Sequence, residues 1–204
     1  MIPSPDGDRR AVVMPGPERF ELTTARLRLT PGAEHELDEL LALHADPRAF
    51  AEDLTEPLTD RAQMRWVLAR WCESWVEHGL GYLSVRAHRP SGEVAPLPEG
   101  LLGVVGLTPL VMGGRPVLSA YWRLSPAATE RGVATEAMRA VLVHPQLGGR
   151  TGGGGGGTEI VAVTAAANRA SRALASRLGF VPAPPERPVP GGRAGDVLLV
   201  LAGS

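Results

Sequence analysis

The pattern of residues along the chain predicts an α/β fold, a mixed and mostly antiparallel central sheet of about six to seven strands flanked by about four helices. Three observations predict it. Period-2 and β-branched runs alternate with stretches of helical spacing, three of the strand-like runs follow one another as an antiparallel meander, and the later strands are separated by helices.

Residues 1–19, rich in Pro, Gly and charge without periodicity, read as a disordered tail, so a single domain is expected over 20–204. Glu21 to Thr30 alternates, with Ala25, Leu27 and Leu29 on one face and Arg26 and Arg28 on the other, the pattern of a half-buried strand ended by Pro31-Gly32. From Ala33 to His44, Leu37, Leu40, Leu41 and His44 recur at helical spacing until Asp46-Pro47 stops the helix. A second helix is expected from an N-cap at Thr59 to Gly79, with Met64, Val67, Leu68, Trp71 and Trp75 as its apolar stripe. Trp71 and Trp75, one turn apart, read as core rather than as a stacking surface. Gly81–Ala87, Leu101–Leu107 and Val117–Leu124 form the meander. Val133, Ala134, Ala137, Met138, Val141 and Leu142 then mark a helix ending near His144-Pro145. Residues 148–157 hold eight glycines and read as a flexible insert, since a homopolymeric run specifies no conformation. Ile160–Thr164 is a strand, Asn168 caps a helix that Gly179 ends, Phe180-Val181 is a short strand, and Val197–Leu201 is the last.

Composition excludes several functions. The 21 basic residues are all Arg, which rules out Schiff-base chemistry, a pyridoxal-phosphate anchor and a Gly-Lys-Ser/Thr phosphate loop. A net charge of -1 gives no pull toward nucleic acid or an anionic membrane, and no apolar run reaches bilayer length. The acidic N-terminus is unlike a signal peptide, so a cytoplasmic protein is expected. Cys72 alone forms no internal disulfide, and no Cys/His spacing suits zinc, so no metal is expected.

Two segments carry chemistry. Tyr121 to Ala137 is a strand, a tight loop and a helix start, where backbone N–H groups without intrahelical partners meet the positive end of a helix dipole, and Gly132 and Ala134 leave room for an anion. Asn168 to Phe180 is a second strand-to-helix start. Thr24-Ala25-Arg26-Leu27-Arg28-Leu29, the Tyr121-Trp122 strand, Gly132-Val133-Ala134-Thr135-Glu136-Ala137 and the Asn168, Ser171 and Leu178-Gly179-Phe180 helix together resemble the GNAT N-acetyltransferases. Within that family they are similar to the ribosomal-protein alanine N-acetyltransferase branch, the RimJ/RimL type, and the resemblance covers residues 21–202.

The resemblance implies a sheet splayed between the strand ending at Leu124 and the strand beginning at Ile160. Acetyl-CoA is the implied cofactor, its pantetheine arm in the wedge against the edge of the first strand and near Asn168. Its pyrophosphate would sit on the amides of Arg131, Gly132, Val133, Ala134 and Thr135. Ser171 would lie near the sulfur, and since Ala175 stands where many relatives carry a tyrosine, protonation of the departing thiolate falls to Ser171 or to water. N-capping by Asn168 and a first-turn position for Ser171 remain compatible with these roles. The implied reaction is direct attack by a neutral amine on the thioester, the oxyanion held by a backbone N–H near Leu124. The implied partner is an amine acceptor, a peptide N-terminus or a small molecule, in a pocket lined by the helices at 33–44 and 59–79; a homodimer is also compatible. With no strong base assigned, an α-amine is favoured: at pH 7 roughly a tenth of it is neutral, against well under a thousandth for a lysine side chain. The loop departs from the family pattern, which has Arg or Gln where this chain has Thr129, followed here by Glu130, so weaker cofactor binding is expected. That departure leaves a second reading open, a non-catalytic acyl-CoA- or protein-binding member of the same fold.

Overall fold

The computed structural model describes residues 20–53, 55–88, 97–151, 158–191 and 193–203; the expected tail at 1–19 and residues 152–157 of the glycine-rich insert lie outside them. In chain order the elements are β1 (Leu22–Thr23), β2 (Leu27–Pro31), α1 (Leu37–Ala45), α2 (Arg61–His78), β3 (Tyr82–Ala87), β4 (Leu101–Met112), β5 (Arg115–Leu124), α3 (Val133–Val143), β6 (Ile160–Ala165), α4 (Arg169–Arg177), β7 (Phe180–Pro182) and β8 (Asp196–Leu201), with short 3-10 turns between several of them. One eight-stranded sheet runs β1-β2-β3-β4-β5-β6-β8-β7, and every pairing is antiparallel except β5 with β6.

The sheet has one strand more than expected because Glu21–Thr30 is not a single strand. Thr24 folds it back: its N–H donates to the Leu27 carbonyl (2.9 Å) and its Oγ1 accepts from the Leu27 N–H (3.0 Å). A threonine hydroxyl thereby makes a turn without glycine or proline, and Ala25 is exposed at its tip instead of facing inward with Leu27 and Leu29. The cap of α2 is likewise Asp60 rather than Thr59; its carboxylate accepts the Gln63 N–H at 2.6 Å, where negative charge also meets the helix dipole. β4 and β5 run longer than expected, joined at Gly113-Gly114, whose φ of 57° and 75° suit a two-residue hairpin turn. Pro109 and Pro116 are tolerated because each lies on a stretch whose neighbour on the other side, β3 or β6, is not paired there.

Helices cover both faces. On one, Leu37, Leu40 and Leu43 of α1 pack with Met64, Leu68 and Trp71 of α2 against Val104. His44 is buried there, 6% exposed and near Trp71; its Nδ1 lies 2.8 Å from the Leu40 carbonyl, which requires that nitrogen to carry the proton, and Nε2 has no partner among the described residues. On the other face, Val133, Ala137, Met138 and Val141 of α3 pack against Leu27, Leu29, Val85 and Val105. Trp71 and Trp75 are core, as expected, whereas Trp66 is 65% exposed. Gly148–Thr151, at the start of the expected insert, is a 3-10 turn. Among the described residues no helix is long and apolar enough to cross a membrane, and no group of His, Cys, Asp or Glu could hold a metal.

The expected splay is present. β5 and β6 pair only at Leu118 with Ile160, Ser119 with Val161 and Ala120 with Ala162. Beyond that, β5 stays with β4 as far as Leu124, while β6 follows β8 as far as Ala165, and the strands part.

Candidate active site

The wedge opens into a cavity of about 1250 Å³. Its β5 wall has unpaired backbone. Ser125 N–H bonds Leu102 on the β4 side and Leu118 N–H bonds Glu159 on the β6 side, so the alternation of the strand turns the N–H and C=O groups of Trp122 and Leu124 toward the gap. An extended amide chain entering there meets the edge of a sheet.

At the end of that wall β5 passes through a 3-10 turn, Pro126–Ala128, into α3. Gly132 is the N-cap with φ 75°, a left-handed conformation natural only to glycine, and no side chain caps the helix. Glu136 N–H is the first to bond within it, to the Gly132 carbonyl at 3.0 Å, so the N–H groups of Val133, Ala134 and Thr135 are left outside the helical ladder. Gly132, Val133, Ala134 and Thr135 all line the cavity. Arg131 does not; its Nε donates back to the Ala127 carbonyl at 3.1 Å. Thr129 and Glu130 lie on the same wall, Glu130 with a φ of 59°.

Arg26, from the β1–β2 turn, reaches this loop. Its Nε and Nη2 bind the Glu136 carboxylate at 2.7 and 2.6 Å, and its Nη1 donates to the Arg131 carbonyl at 3.1 Å. Burial pushes the Glu136 carboxyl up, but hydrogen bonds from the Thr24 hydroxyl and from Arg26 outweigh it and hold the group below the usual carboxylate range.

The facing wall is the start of α4. Asn168 Oδ1 accepts the Ser171 N–H at 2.8 Å, the expected cap, and Asn168 Nδ2 donates to Asp53 Oδ1 at 2.9 Å. Ser171 Oγ accepts the Trp122 indole N–H at 2.9 Å. An indole can only donate, so the serine's own proton is left free for another acceptor. Asn168, Ser171 and Leu124 line the cavity together with Asp53, which sequence reasoning missed. Asp53 follows the 3-10 turn Pro47–Phe50 and also takes a bond from Arg123 Nη2 at 2.7 Å, tying β5 to α4 across the wedge. The Arg123 side chain, only 9% exposed, is further held by the Ala49 carbonyl, by Tyr121 Oη at 2.8 Å and by the Phe50 ring 3.6 Å away. A buried guanidinium needs that many partners. Burial also raises the Tyr121 hydroxyl, which stays protonated beside it. The one signal for this cluster in the sequence was an arginine inside an otherwise apolar strand.

Residues 26–181 match the family model for the acetyltransferase (GNAT) domain. The chain belongs to the GNAT acetyltransferase family. Its fold is that of solved GNAT structures. A Bordetella pertussis protein named as a GNAT-family acetyltransferase aligns at 25% identity and a TM-score of 0.67, covering 90% of this chain and 100% of that one. An acetyltransferase from Agrobacterium tumefaciens str. C58 aligns at 22% and 0.66, covering 89% and 93%. RimL, described as a ribosomal L7/L12 alpha-N-protein acetyltransferase in complex with coenzyme A, aligns at 15% and 0.67, covering 89% and 96%. No curated protein matches the chain. The uncapped start of α3 and the parted strands are thus parts of a GNAT domain that is an acetyltransferase.

Proposed function

We propose that this GNAT acetyltransferase moves an acetyl group from acetyl-CoA to a primary amine, a peptide α-amine or a small-molecule amine, as an enzyme of the RimJ/RimL type. The observation that carries the reading is the adjacency of an uncapped helix start to an unpaired strand edge: Val133, Ala134 and Thr135 present free N–H groups beside a gap into which Trp122 and Leu124 turn backbone. The residues present fit the donor. Gly132 to Thr135 would hold the diphosphate, and the backbone edge at Trp122, with the Leu124 carbonyl, would face the pantetheine arm. Acetyl-CoA supplies an activated acyl carbonyl, which a neutral amine attacks directly. The Leu124 N–H is the donor available to an oxygen that gains negative charge during transfer. Ser171, with its oxygen turned to Trp122, would pass its proton to the departing thiolate and regain one, through water, from the attacking nitrogen, which must lose a proton to become the amide.

The acceptor reading rests on protonation. A peptide α-amine is partly neutral at pH 7 and needs little help, whereas a lysine side chain needs a strong base. The name RimL carries the same acceptor class. The enzyme is proposed to work in the cytoplasm.

Thermal unfolding with CoA tests the donor. At about 100 times its Kd, CoA should add roughly 2.7 kcal/mol of stability, and Gly132→Glu should abolish the shift while its own melt remains cooperative. Release of CoA thiol with a panel of α-amine peptides, polyamines and lysine ε-amines then identifies the acceptor. A Gly132→Glu variant that binds CoA normally, or a wild-type protein with no shift, overturns the reading.

A further inference from the structure

The loop that precedes α3 offers a diphosphate no cation of its own, since Thr129 stands where the family pattern has Arg or Gln, Glu130 follows it, and the Arg131 side chain is turned back to Ala127. Besides Arg123, held by Asp53, four arginines from outside the loop, Arg26, Arg48, Arg139 and Arg177, line the cavity, and Arg26 bonds the loop itself, its Nη1 donating to the Arg131 carbonyl. We infer that Arg26, carried on the turn between β1 and β2, is a diphosphate-binding residue of the donor site and supplies the positive charge the loop lacks. This rests on the acetyl-CoA reading given above.

Four features place it there. Arg26 lines the same cavity as Gly132, Val133, Ala134 and Thr135. A Cβ on Gly132 would stand 3.3 Å from Arg26 Nη2, which sets the guanidinium at the helix start that carries the free amides. The Glu136 carboxylate and the Arg131 carbonyl take its Nε, one Nη2 and one Nη1 proton, which fixes the group while leaving two of the five guanidinium N–H groups for a ligand. Glu136, an anion in the first turn of the very helix that must receive an anion, is neutralised by the same contact, so Arg26 removes a repulsion as well as adding an attraction. Thr24 holds the turn by accepting the Leu27 N–H through its hydroxyl and donating that hydroxyl to Glu136.

The test compares acetyl-CoA with S-acetylpantetheine, a donor with the same thioester and arm but no phosphate, using one accepted amine. Arg26→Gln should lower kcat/KM with acetyl-CoA at least tenfold more than with S-acetylpantetheine, mainly through KM, as expected for loss of a charge-assisted hydrogen bond. It should also flatten the dependence of the acetyl-CoA KM on salt, and Arg26→Lys should recover part of the loss. Because Arg26→Gln leaves Glu136 without its partner, the double variant Arg26→Gln with Glu136→Gln, which keeps a neutral hydrogen-bonded pair and removes the Glu136 repulsion, is measured alongside and should show a donor bias in the same direction but smaller. Equal losses on both donors would make the ion pair structural only and overturn the assignment, as would no loss on either. A wild-type protein that uses neither donor refutes the acetyl-CoA reading and this one with it, whereas wild-type turnover with an unchanged donor ratio in both variants refutes Arg26 alone.

Discussion

Mild acid should destabilise this protein through one residue, His44. Its imidazole is 6% exposed, and its Nδ1–H donates to the Leu40 carbonyl. Nε2 is left buried with no hydrogen-bond partner among the described residues, and burial lowers the imidazole pKa from 6.5 to about 4. The unfolded chain therefore binds a proton that the folded chain refuses, and stability present above pH 6.5 is lost as the pH falls toward 4. Linkage makes the loss about 2 kcal/mol at pH 5 and roughly 3 kcal/mol once the folded pKa is passed. Carboxylates held low by their partners, among them Glu39, Glu136 and Glu159, act in the same direction but only below their ordinary range near 4.5. The interval from 6.5 to 4.5 thus isolates the histidine. Urea midpoints across that interval, for the wild type and for His44→Asn, whose amide can still reach the Leu40 carbonyl but does not titrate, measure it. If both proteins lose stability with the same slope, the histidine is not the source.

Glu130→Gly should relieve a left-handed residue and remove a carboxylate from the wall proposed to receive phosphate. A gain of about 0.5–1 kcal/mol in a urea titration, with CoA bound about threefold more tightly at low salt and no difference at high salt, is expected; unchanged affinity at low salt would place Glu130 away from the ligand. Asn168→Ala should cost ~1–2 kcal/mol by removing both the α4 cap and the tie to Asp53. Asn168→Asp should do no better although it keeps the cap, because it sets a carboxylate 2.9 Å from Asp53 Oδ1; an Asp variant as stable as the wild type would show that this tie contributes nothing.

Elements governed by local chemistry were legible in the sequence. The spacing of Val133, Ala137, Met138 and Val141 gave α3, and Asn168 caps α4 as read. The errors have physical causes. The β1–β2 turn was invisible because a threonine hydroxyl makes it, and β4 and β5 run longer than expected because Pro109 and Pro116 each lie where the neighbouring strand is not paired, which only the assembled sheet shows. The uncapped start of α3 could be placed because a glycine at a strand-to-helix junction has its own signature. Its complement could not: Asp53 meets Arg123 across 70 residues and Arg26 meets Glu136 across 110, and no local pattern announces a partner that far away.

The seam between β5 and β6 sits at one end of both strands' common length, where Leu118 meets Ile160 and Glu159 accepts the Leu118 N–H. The sheet therefore behaves like a book with a short bound spine, and the chain arriving from the glycine-rich stretch feeds into the binding, not into the open fore-edge formed beyond Ala120 and Ala162. The gap between the pages is spanned from the opposite side by Asp53, which accepts from both Arg123 and Asn168.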